Sequence, residues 1–211
     1  MKIWSDSFRD GRSIPAEFAF GAIDPASRVR LSGNRNPHLA WSDVPAGTES
    51  LALLCIDGDA PQDGRDVNQP GRELVAGLPR GDFFHWSLID IPARQGTIAA
   101  GALSSGVTER GKADNAASPM RQGVNDYTGW FSGDAAMAGD YYGYDGPCPP
   151  WNDLRLHHYI FRIYALDLPR LALPARFNGP DVCAAIHGHI IDEAQLIGTY
   201  TLNPSLAPAR P

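Results

Sequence analysis

The stretch that decides the fold reads Leu51-Ala52-Leu53-Leu54-Cys55-Ile56-Asp57-Gly58-Asp59-Ala60-Pro61. Six apolar residues bounded by turn residues predict a buried strand that ends at Ile56, because Gly58 and Pro61 both interrupt regular structure. We therefore expect Asp57 and Asp59 to stand where a core strand meets a loop, a place that holds side chains rigidly. The simpler interpretation is that the two aspartates form a common Asx-type turn.

Other apolar segments of the chain predict further strands. Residues 1–50 contain short apolar islands separated by Gly, Pro, Asn and Asp, which is typical of short strands joined by turns. Residues 157–167 give the clearest strand, with His157 and Tyr159 on one face and His158 on the other. A third strand covers residues 84–91 and stops at Pro92. Its alternation predicts one face made of Phe84, Trp86 and Leu88, and a second made of His85, Ser87 and Ile89.

One helix is predicted near the C-terminus. The segment Gly179-Pro180-Asp181 is a favourable helix start, with proline in the first turn and a carboxylate near the positive end of the dipole. His187 and His189 are interpreted as ordinary helix residues. Spacings of four and three place the following residues on one helical face: Val182, Ile186, Ile190, Ala194 and Ile197. Many short strands and one late helix indicate a mainly β protein, an antiparallel β-sandwich with peripheral helices.

Residues 101–150 are the irregular part of the chain. They are rich in Gly, Asn, Asp, Ser and Pro, yet they also contain tyrosines, a tryptophan and a phenylalanine. Aromatic content of this kind favours a long ordered loop packed by its own side chains. We expect residues 1–211 to form a single domain that includes this loop.

Composition and charge limit the possible functions. Apolar residues make up 43% of the chain and charged residues 20%, as in a soluble globular protein. A formal net charge of −6 argues against a nucleic-acid partner bound through a broad basic face. Three cysteines form neither a disulfide framework nor a metal motif, and no apolar leader or membrane-spanning stretch is visible. The sequence therefore predicts a cytoplasmic protein without a cofactor.

Polar residues at the ends of core strands are the candidates for function: Asp57, Asp59, His85, His157, His158 and Tyr159. The loop 143–150 directly precedes the histidine pair, and a Gly/Pro-rich loop can turn successive backbone N–H groups into an anion-binding nest. Carboxylates, imidazoles and backbone donors together would form a small polar pocket for an anionic or zwitterionic group.

Three alternatives remain open on residue types alone. Asp57, His85 and His157 could assemble a zinc site, although no standard zinc motif is present. A hydrolase would need a nucleophile, and neither a Gly-x-Ser-x-Gly elbow nor a cysteine with a convincing partner is found, so no catalytic residue is predicted. Finally, His85 and His157 could each be a hydrogen-bonded core histidine.

Several motifs in order resemble the phosphatidylethanolamine-binding protein (PEBP) family, in its bacterial, Raf-kinase-inhibitor-like branch. Asp57-Gly58-Asp59-Ala60-Pro61 is similar to the family's first signature, and His85-Trp86 to its His-plus-aromatic strand. Gly146-Pro147-Cys148-Pro149-Pro150, followed by His157-His158-Tyr159, is similar to the second signature. The resemblance extends from about residue 14 to residue 201.

The resemblance implies a Greek-key-type antiparallel β-sandwich with one small anion-binding pocket, and no shared enzymatic reaction. Expected ligands are phosphate-like or phosphoethanolamine-like groups. Regulation of kinases or other protein partners, and a homodimer, are also implied. By matching position, the residues expected to line or shape the pocket are Asp57, His85, Gly146, His157, Tyr159, Asp59, Pro61, Phe83 and Pro147.

Two departures from the family pattern stand out. Gly58 replaces the usual proline and loosens the turn, and residues 128–141 resemble an insertion beside the pocket mouth, where they can change which ligand fits. We hypothesise that Asp57 raises the pKa of a neighbouring histidine, so that an imidazolium and nest N–H groups face a phosphate, while Asp59 holds the turn. The alternative is a vestigial pocket on a protein that regulates partners through its 101–145 loop.

Overall fold

The computed structural model describes residues 1–207 and shows a mainly β fold with few helices. A short 3₁₀ helix spans Ala16–Phe18. The two α-helices are α1 (Tyr127–Trp130) and α2 (Gly179–Ile186). The strands are β1 (Lys2–Trp4), β2 (Arg12–Ser13), β3 (Gly21–Asp24), β4 (Arg28–Leu31), β5 (Leu39–Ser42), β6 (Ser50–Pro61), β7 (Arg80–Pro92), β8 (Gly96–Ile98), β9 (Arg121–Gln122), β10 (His157–Leu166) and β11 (Ile190–Tyr200).

A six-stranded sheet in the order β2-β11-β10-β6-β7-β9 forms the centre of the fold. Its pairs are antiparallel except for the short parallel pair between β11 and β2. A three-stranded sheet, β1-β5-β8, packs over one face of it, and β3 and β4 form a separate hairpin. The central strand β6 is apolar along most of its length because both of its faces are covered.

Two hydrophobic clusters lie on opposite faces of the six-stranded sheet. On one face, Trp41 and Ile98 of the smaller sheet pack against Leu53, Trp86 and Phe161. On the other face, α2 packs through Val182 and Ile186 against Leu54, Tyr164 and neighbouring apolar residues. This arrangement of a layered antiparallel sandwich with one helix near the C-terminus confirms the predicted fold class.

The predicted C-terminal helix is correct only for its first part. Asn178 caps α2 by accepting a hydrogen bond from the Asp181 N–H, but the helix ends at Ile186. Gly188 has a φ of +84°, which favours glycine and turns the chain. From Ile190 onward the chain pairs with β10, so the predicted helical face through Ala194 and Ile197 is wrong: cross-strand pairing outweighs an apparent helical periodicity.

The prediction that the first strand ends at Ile56 is also wrong, because β6 continues to Pro61. Asp57 pairs with Phe83 and Ala60 pairs with Gly81, so two residues of β6 lie opposite one residue of β7. This is a β-bulge, which adds a residue and redirects side chains without ending the strand. The turn-like residues 57–61 mark that bulge.

A second bulge in β7 changes the predicted alternation of that strand. Cys55 pairs with Trp86 and Ile56 pairs with Phe84, which leaves His85 as the extra residue. Phe84 therefore packs with the α2 cluster, away from Trp86, instead of sharing its face as predicted. Because of the bulge, His85 and Trp86 both lie on the side of the sheet that carries the cavity described next.

Candidate functional site

A cavity of about 140 Å³ lies at one end of the six-stranded sheet, on the side of its larger core. Three of its wall residues are direct neighbours across adjacent strands, since Tyr159 pairs with Asp57 and Asp57 pairs with Phe83. His157 lies two residues before Tyr159 on β10, and His85 lies two residues after Phe83 on β7. Four polar residues, which we call the polar end of the cavity, are almost fully buried: Asp57, His85, His157 and Tyr159.

His157 is the centre of a buried chain of charged groups. Its Nδ1 lies 2.7 Å from Asp57 Oδ2, and its Nε2 lies 3.1 Å from Asp153 Oδ2. The Arg80 guanidinium donates two hydrogen bonds to Asp153, at 2.5 and 3.0 Å. Two carboxylates thus alternate with two cationic groups, and the chain is close to electrically neutral.

Burial lowers the pKa of His157, but the hydrogen bonds and charges of Asp153 and Asp57 outweigh it and raise that pKa to about 9. His157 is therefore an imidazolium at neutral pH, and it donates one hydrogen bond to each of the two carboxylates. Because both of its N–H groups point at carboxylates, His157 presents no free donor to the cavity. The hypothesis placed an imidazolium beside Asp57 and facing the ligand. His157 is that imidazolium, but both of its N–H groups already bind carboxylates, so it does not face a ligand.

His85 is in the opposite situation. Its Nδ1 lies 2.7 Å from the carbonyl oxygen of Asp145, and a carbonyl only accepts, so Nδ1 carries a proton and donates it. Burial lowers the pKa of His85 more than the surrounding carboxylates raise it. At neutral pH the ring is uncharged, and its Nε2 makes no hydrogen bond to any of residues 1–207.

Tyr159 supplies the donor of the polar end. Its hydroxyl is fully buried and has no hydrogen-bond partner among the described residues. Burial, followed by the nearby charge of Asp57, raises the pKa of this hydroxyl well above its usual value, so it remains protonated. A buried hydroxyl without a partner costs about 1–3 kcal/mol, so an acceptor placed next to it would stabilise this end of the cavity.

The structure places six of the nine expected residues on the cavity wall: Asp57, His85, His157, Tyr159, Pro61 and Phe83. Asp59, Gly146 and Pro147 are not among the residues that line it. Asp59 instead binds Arg155 and His158, and these hydrogen bonds lower its pKa despite the opposing effect of burial. The turn is closed by Asp57 Oδ1, which accepts the Asp59 N–H at 2.8 Å, so the role assigned to Asp59 belongs to Asp57.

The expected nest of backbone donors does not form at Gly146. Its N–H donates to Asn34 Oδ1 at 2.8 Å, and the prolines at 147, 149 and 150 have no N–H. A Cβ on Gly146 would lie 2.1 Å from the Phe18 carbonyl oxygen, so glycine is required there for close backbone approach. The preceding residue anchors the loop: the buried Asp145 carboxylate accepts hydrogen bonds from the side chains of Asn34, Lys112 and Asn125.

Sequence reasoning missed several residues that complete the site. Asp153 and Arg80 set the charge of His157. Asp153 could have been suggested by its position four residues before His157, but no sequence signal pointed to Arg80. The rest of the cavity wall is apolar and comes from five separate segments of the chain: Phe20, Ala60, Val67, Tyr127, Trp130, Phe131, Cys148, Pro149 and Pro150, with Asn68 at its edge. Burial raises the pKa of the Cys148 thiol to about 12, so this thiol is not a thiolate nucleophile at neutral pH.

Neither a metal-binding cluster nor a membrane-spanning helix is found among residues 1–207. No set of three or more His, Cys, Asp or Glu side chains has a geometry that could hold a metal ion. None of the helices in this part of the chain is both long enough and apolar enough to cross a lipid bilayer.

Comparison with known proteins places this architecture in a family. The family described as phosphatidylethanolamine-binding protein matches residues 4–201. A UPF0098 protein of Aquifex aeolicus is 30% identical over 95% of this chain and 88% of its own length. The UPF0098 protein YbhB of Escherichia coli is 28% identical over 95% of this chain and all of its own length.

A solved structure shows the same fold. Escherichia coli YbcL, described as a new member of the mammalian PEBP family, superposes with a TM-score of 0.67 and covers 95% of this chain and 97% of its own, at 24% identity. The family match over almost the whole chain, the fold and the cavity at the ends of β6, β7 and β10 agree with one another. The chain belongs to the phosphatidylethanolamine-binding protein family and is a ligand-binding protein of that type.

Proposed function

We propose that the cavity binds a small phosphate-type anion, either free or as a phosphoethanolamine-like head group, without changing it chemically. The observation that carries the proposal is the buried Tyr159 hydroxyl, which has no partner among residues 1–207 and lines the cavity beside His85. The His85 and Tyr159 rings lie 5.1 Å apart. A phosphate oxygen next to the Tyr159 hydroxyl would accept from it and satisfy a group that is otherwise left without a hydrogen bond.

The charges at the polar end determine which form of the anion fits. His157 is cationic but saturated, and His85 is neutral at pH 7. A phosphate dianion would therefore meet the Asp57 carboxylate with no free cation to balance it. A monoanion avoids this, because its own P–OH can donate to His85 Nε2 while another of its oxygens accepts from Tyr159. The ammonium of phosphoethanolamine can be received by Asp57, whose oxygens retain acceptor capacity.

This arrangement predicts a definite pH dependence. A phosphate monoester loses its second proton near pH 6, and burial lowers the pKa of His85. Above the second pKa of the phosphate and the pKa of His85, the complex holds one proton more than the free protein and free ligand together. Binding therefore takes up one proton. Affinity should fall by about tenfold for each pH unit above neutrality.

Isothermal titration calorimetry of phosphoethanolamine between pH 5.5 and 8.5, in two buffers of different ionisation enthalpy, measures the affinity and the number of protons taken up on binding. We expect weaker binding at higher pH and the uptake of about one proton. Sulfate stays a dianion over this range and has no proton to donate to His85 Nε2, so it should bind more weakly than phosphoethanolamine. An apparent affinity that does not change between pH 7 and 8.5, with no proton taken up on binding, would refute the shared proton.

Matched variants test the residues. Tyr159→Phe removes one hydroxyl and keeps the ring, and His85→Gln removes the imidazole. Both should weaken phosphoethanolamine binding by about tenfold or more, the usual effect of losing a hydrogen bond to a charged group. Tyr164→Phe is the control, because Tyr164 lies on the same strand but packs on the opposite face of the sheet. Wild-type affinity in both cavity variants would refute the proposal.

A homodimer and the regulation of kinases or other partners are further parts of the proposal that rest on the family resemblance, and a cytoplasmic location is proposed with them. Light scattering during size-exclusion chromatography gives the oligomeric state directly. A regulatory role through the 101–145 loop would be favoured over small-anion binding if a partner, once known, bound equally well after Asp57 and His85 were both replaced.

A further inference from the structure

The segment that resembles an insertion, residues 128–141, forms part of the cavity wall. Trp130 and Phe131 line the cavity, and Phe131 packs on Tyr127 with ring centroids 5.6 Å apart and an interplanar angle of 16°. Phe20 in turn stacks on Tyr127 at 4.6 Å and 16°. Val67 and Asn68, from the segment 62–79, also line the cavity. The cavity therefore has an aromatic side that the two family signatures do not supply.

This aromatic wall is held in place by its own hydrogen bonds. The buried Tyr141 hydroxyl donates to the Met137 carbonyl at 2.7 Å, and the Tyr141 N–H donates to Thr128 Oγ1 at 3.0 Å. Asp134 accepts from the N–H groups of residues 136 and 137. Because these contacts fix the segment before any ligand binds, little ordering entropy would be lost on binding.

Trp130 is the exposed member of the wall. Its side chain is 51% exposed, although it is one of the largest apolar side chains of the protein. A Cβ built on Gly64 would lie 4.0 Å from the Trp130 ring, so the indole lies next to the segment that carries Val67 and Asn68. One indole thus stands at the open side of the cavity, while the polar end lies buried behind it.

The size and lining of the cavity limit its occupant. An apolar protein cavity of about 150 Å³ accepts a benzene molecule, and this one measures about 140 Å³ before its open side is counted. Apart from Asn68 and the residues of the polar end, the cavity is lined by apolar and aromatic side chains. A bare phosphate or phosphoethanolamine would satisfy the polar end but leave those walls in contact with water or with a polar chain.

We propose that the ligand carries a flat aromatic group on its phosphate, and that Trp130 and Phe131 select for that group by stacking. The ligand class is an aryl phosphate monoester, with the phosphate at Tyr159 and His85 and the ring along the aromatic wall. Ring pairs at centroid distances of 4.5–7 Å gain attraction beyond their buried area, which favours a planar group over a flexible alkyl chain. This inference rests on the proposed function.

The test compares phosphoethanolamine with phenyl phosphate by calorimetry on the full chain. Phenyl phosphate should bind wild-type protein about tenfold more tightly than phosphoethanolamine does. Trp130→Ala should reduce the affinity for phenyl phosphate by about five- to tenfold and change the affinity for phosphoethanolamine less than twofold. Trp130→Phe should restore most of the loss, because a stacking surface is retained. Trp4→Ala is the control, since Trp4 is also exposed, at 43%, but lies on β1 and does not line the cavity.

A second readout is the indole N–H resonance of Trp130, identified by its loss in Trp130→Ala. It should shift on adding phenyl phosphate and not on adding phosphoethanolamine. If neither compound binds, the proposed function fails, and this inference fails with it. If phosphoethanolamine binds but phenyl phosphate binds no more tightly, or if Trp130→Ala weakens both equally, the aromatic selection is overturned while the proposed function stands.

Discussion

Raising the pH through 9 should remove the charge from His157 and destabilise the folded protein. The imidazolium lies between Asp57 and Asp153, and its side chain is only 1% exposed. When it loses a proton, one of its nitrogens turns a lone pair toward a carboxylate. A hydrogen bond is then replaced by a repulsive contact in a place that water does not reach.

The magnitude follows from the two pKa values of His157. Its pKa is about 9 in the folded protein, against 6.5 for an unperturbed histidine. The folded value is the higher one, so the stabilisation is fully present below pH 6.5 and is lost as pH rises through 9. A difference of about 2.5 units corresponds to roughly 3 kcal/mol in the free energy of unfolding.

Urea unfolding at several pH values from 6 to 10 measures this loss. Thiols and tyrosines also titrate in this range, so the quantity to compare is the difference in the free energy of unfolding between wild type and His157→Gln, in which their effect cancels. That difference should shrink by roughly 3 kcal/mol from pH 6 to pH 10, with His157→Gln the less stable protein at neutral pH. His187→Gln, which changes an exposed histidine, should follow the wild type. An NMR titration of the wild-type imidazole resonances gives the pKa directly, even if His157→Gln fails to fold.

The reasoning would be refuted by a His157 resonance that titrates near 6.5. It would equally be refuted if the difference in the free energy of unfolding between wild type and His157→Gln stayed constant between pH 6.5 and 10. In either case the two carboxylates would not be holding an imidazolium, and the electrostatic description of the polar end would have to change.

Three further predictions concern the same region. Asp153→Asn should lower the pKa of His157 from about 9, because one of the two carboxylates that hold its charge is lost; the NMR titration measures this. Gly58→Ala should raise the free energy of unfolding by about 0.4–1 kcal/mol in urea, since Gly58 has no positive φ and a Cβ there meets only one atom, at 3.8 Å. Gly146→Ala should lower it by about 1–3 kcal/mol or more in the same assay, because the added carbon would clash with the Phe18 carbonyl oxygen.

The sequence by itself determined the fold class and the approximate place of the cavity. Apolar periodicity identified the strands that became β6, β7 and β10, since a buried strand must be apolar on the faces it covers. Polar residues at the ends of such strands stand out locally, so Asp57, His85 and His157 could be selected without any contact information. The motif resemblance added the order of these parts along the chain.

Only the tertiary structure decided the register and the charges. The bulges in β6 and β7 depend on which residues face each other across strands, and a one-residue offset reverses every later side chain. The end of α2 at Ile186 likewise depends on pairing with β10, which no local periodicity contains.

The protonation states of the two histidines are equally a tertiary property. His157 is cationic because Asp153 and Asp57, four and 100 positions away, meet at its ring. His85 is neutral because it is buried against a backbone carbonyl. The segment 128–141 was recognisable as an insertion, but its aromatic residues reach the cavity only through packing on Tyr127 and Phe20. Sequence patterns record which residues are buried, whereas a pKa or a cavity wall depends on distances between residues that are remote along the chain.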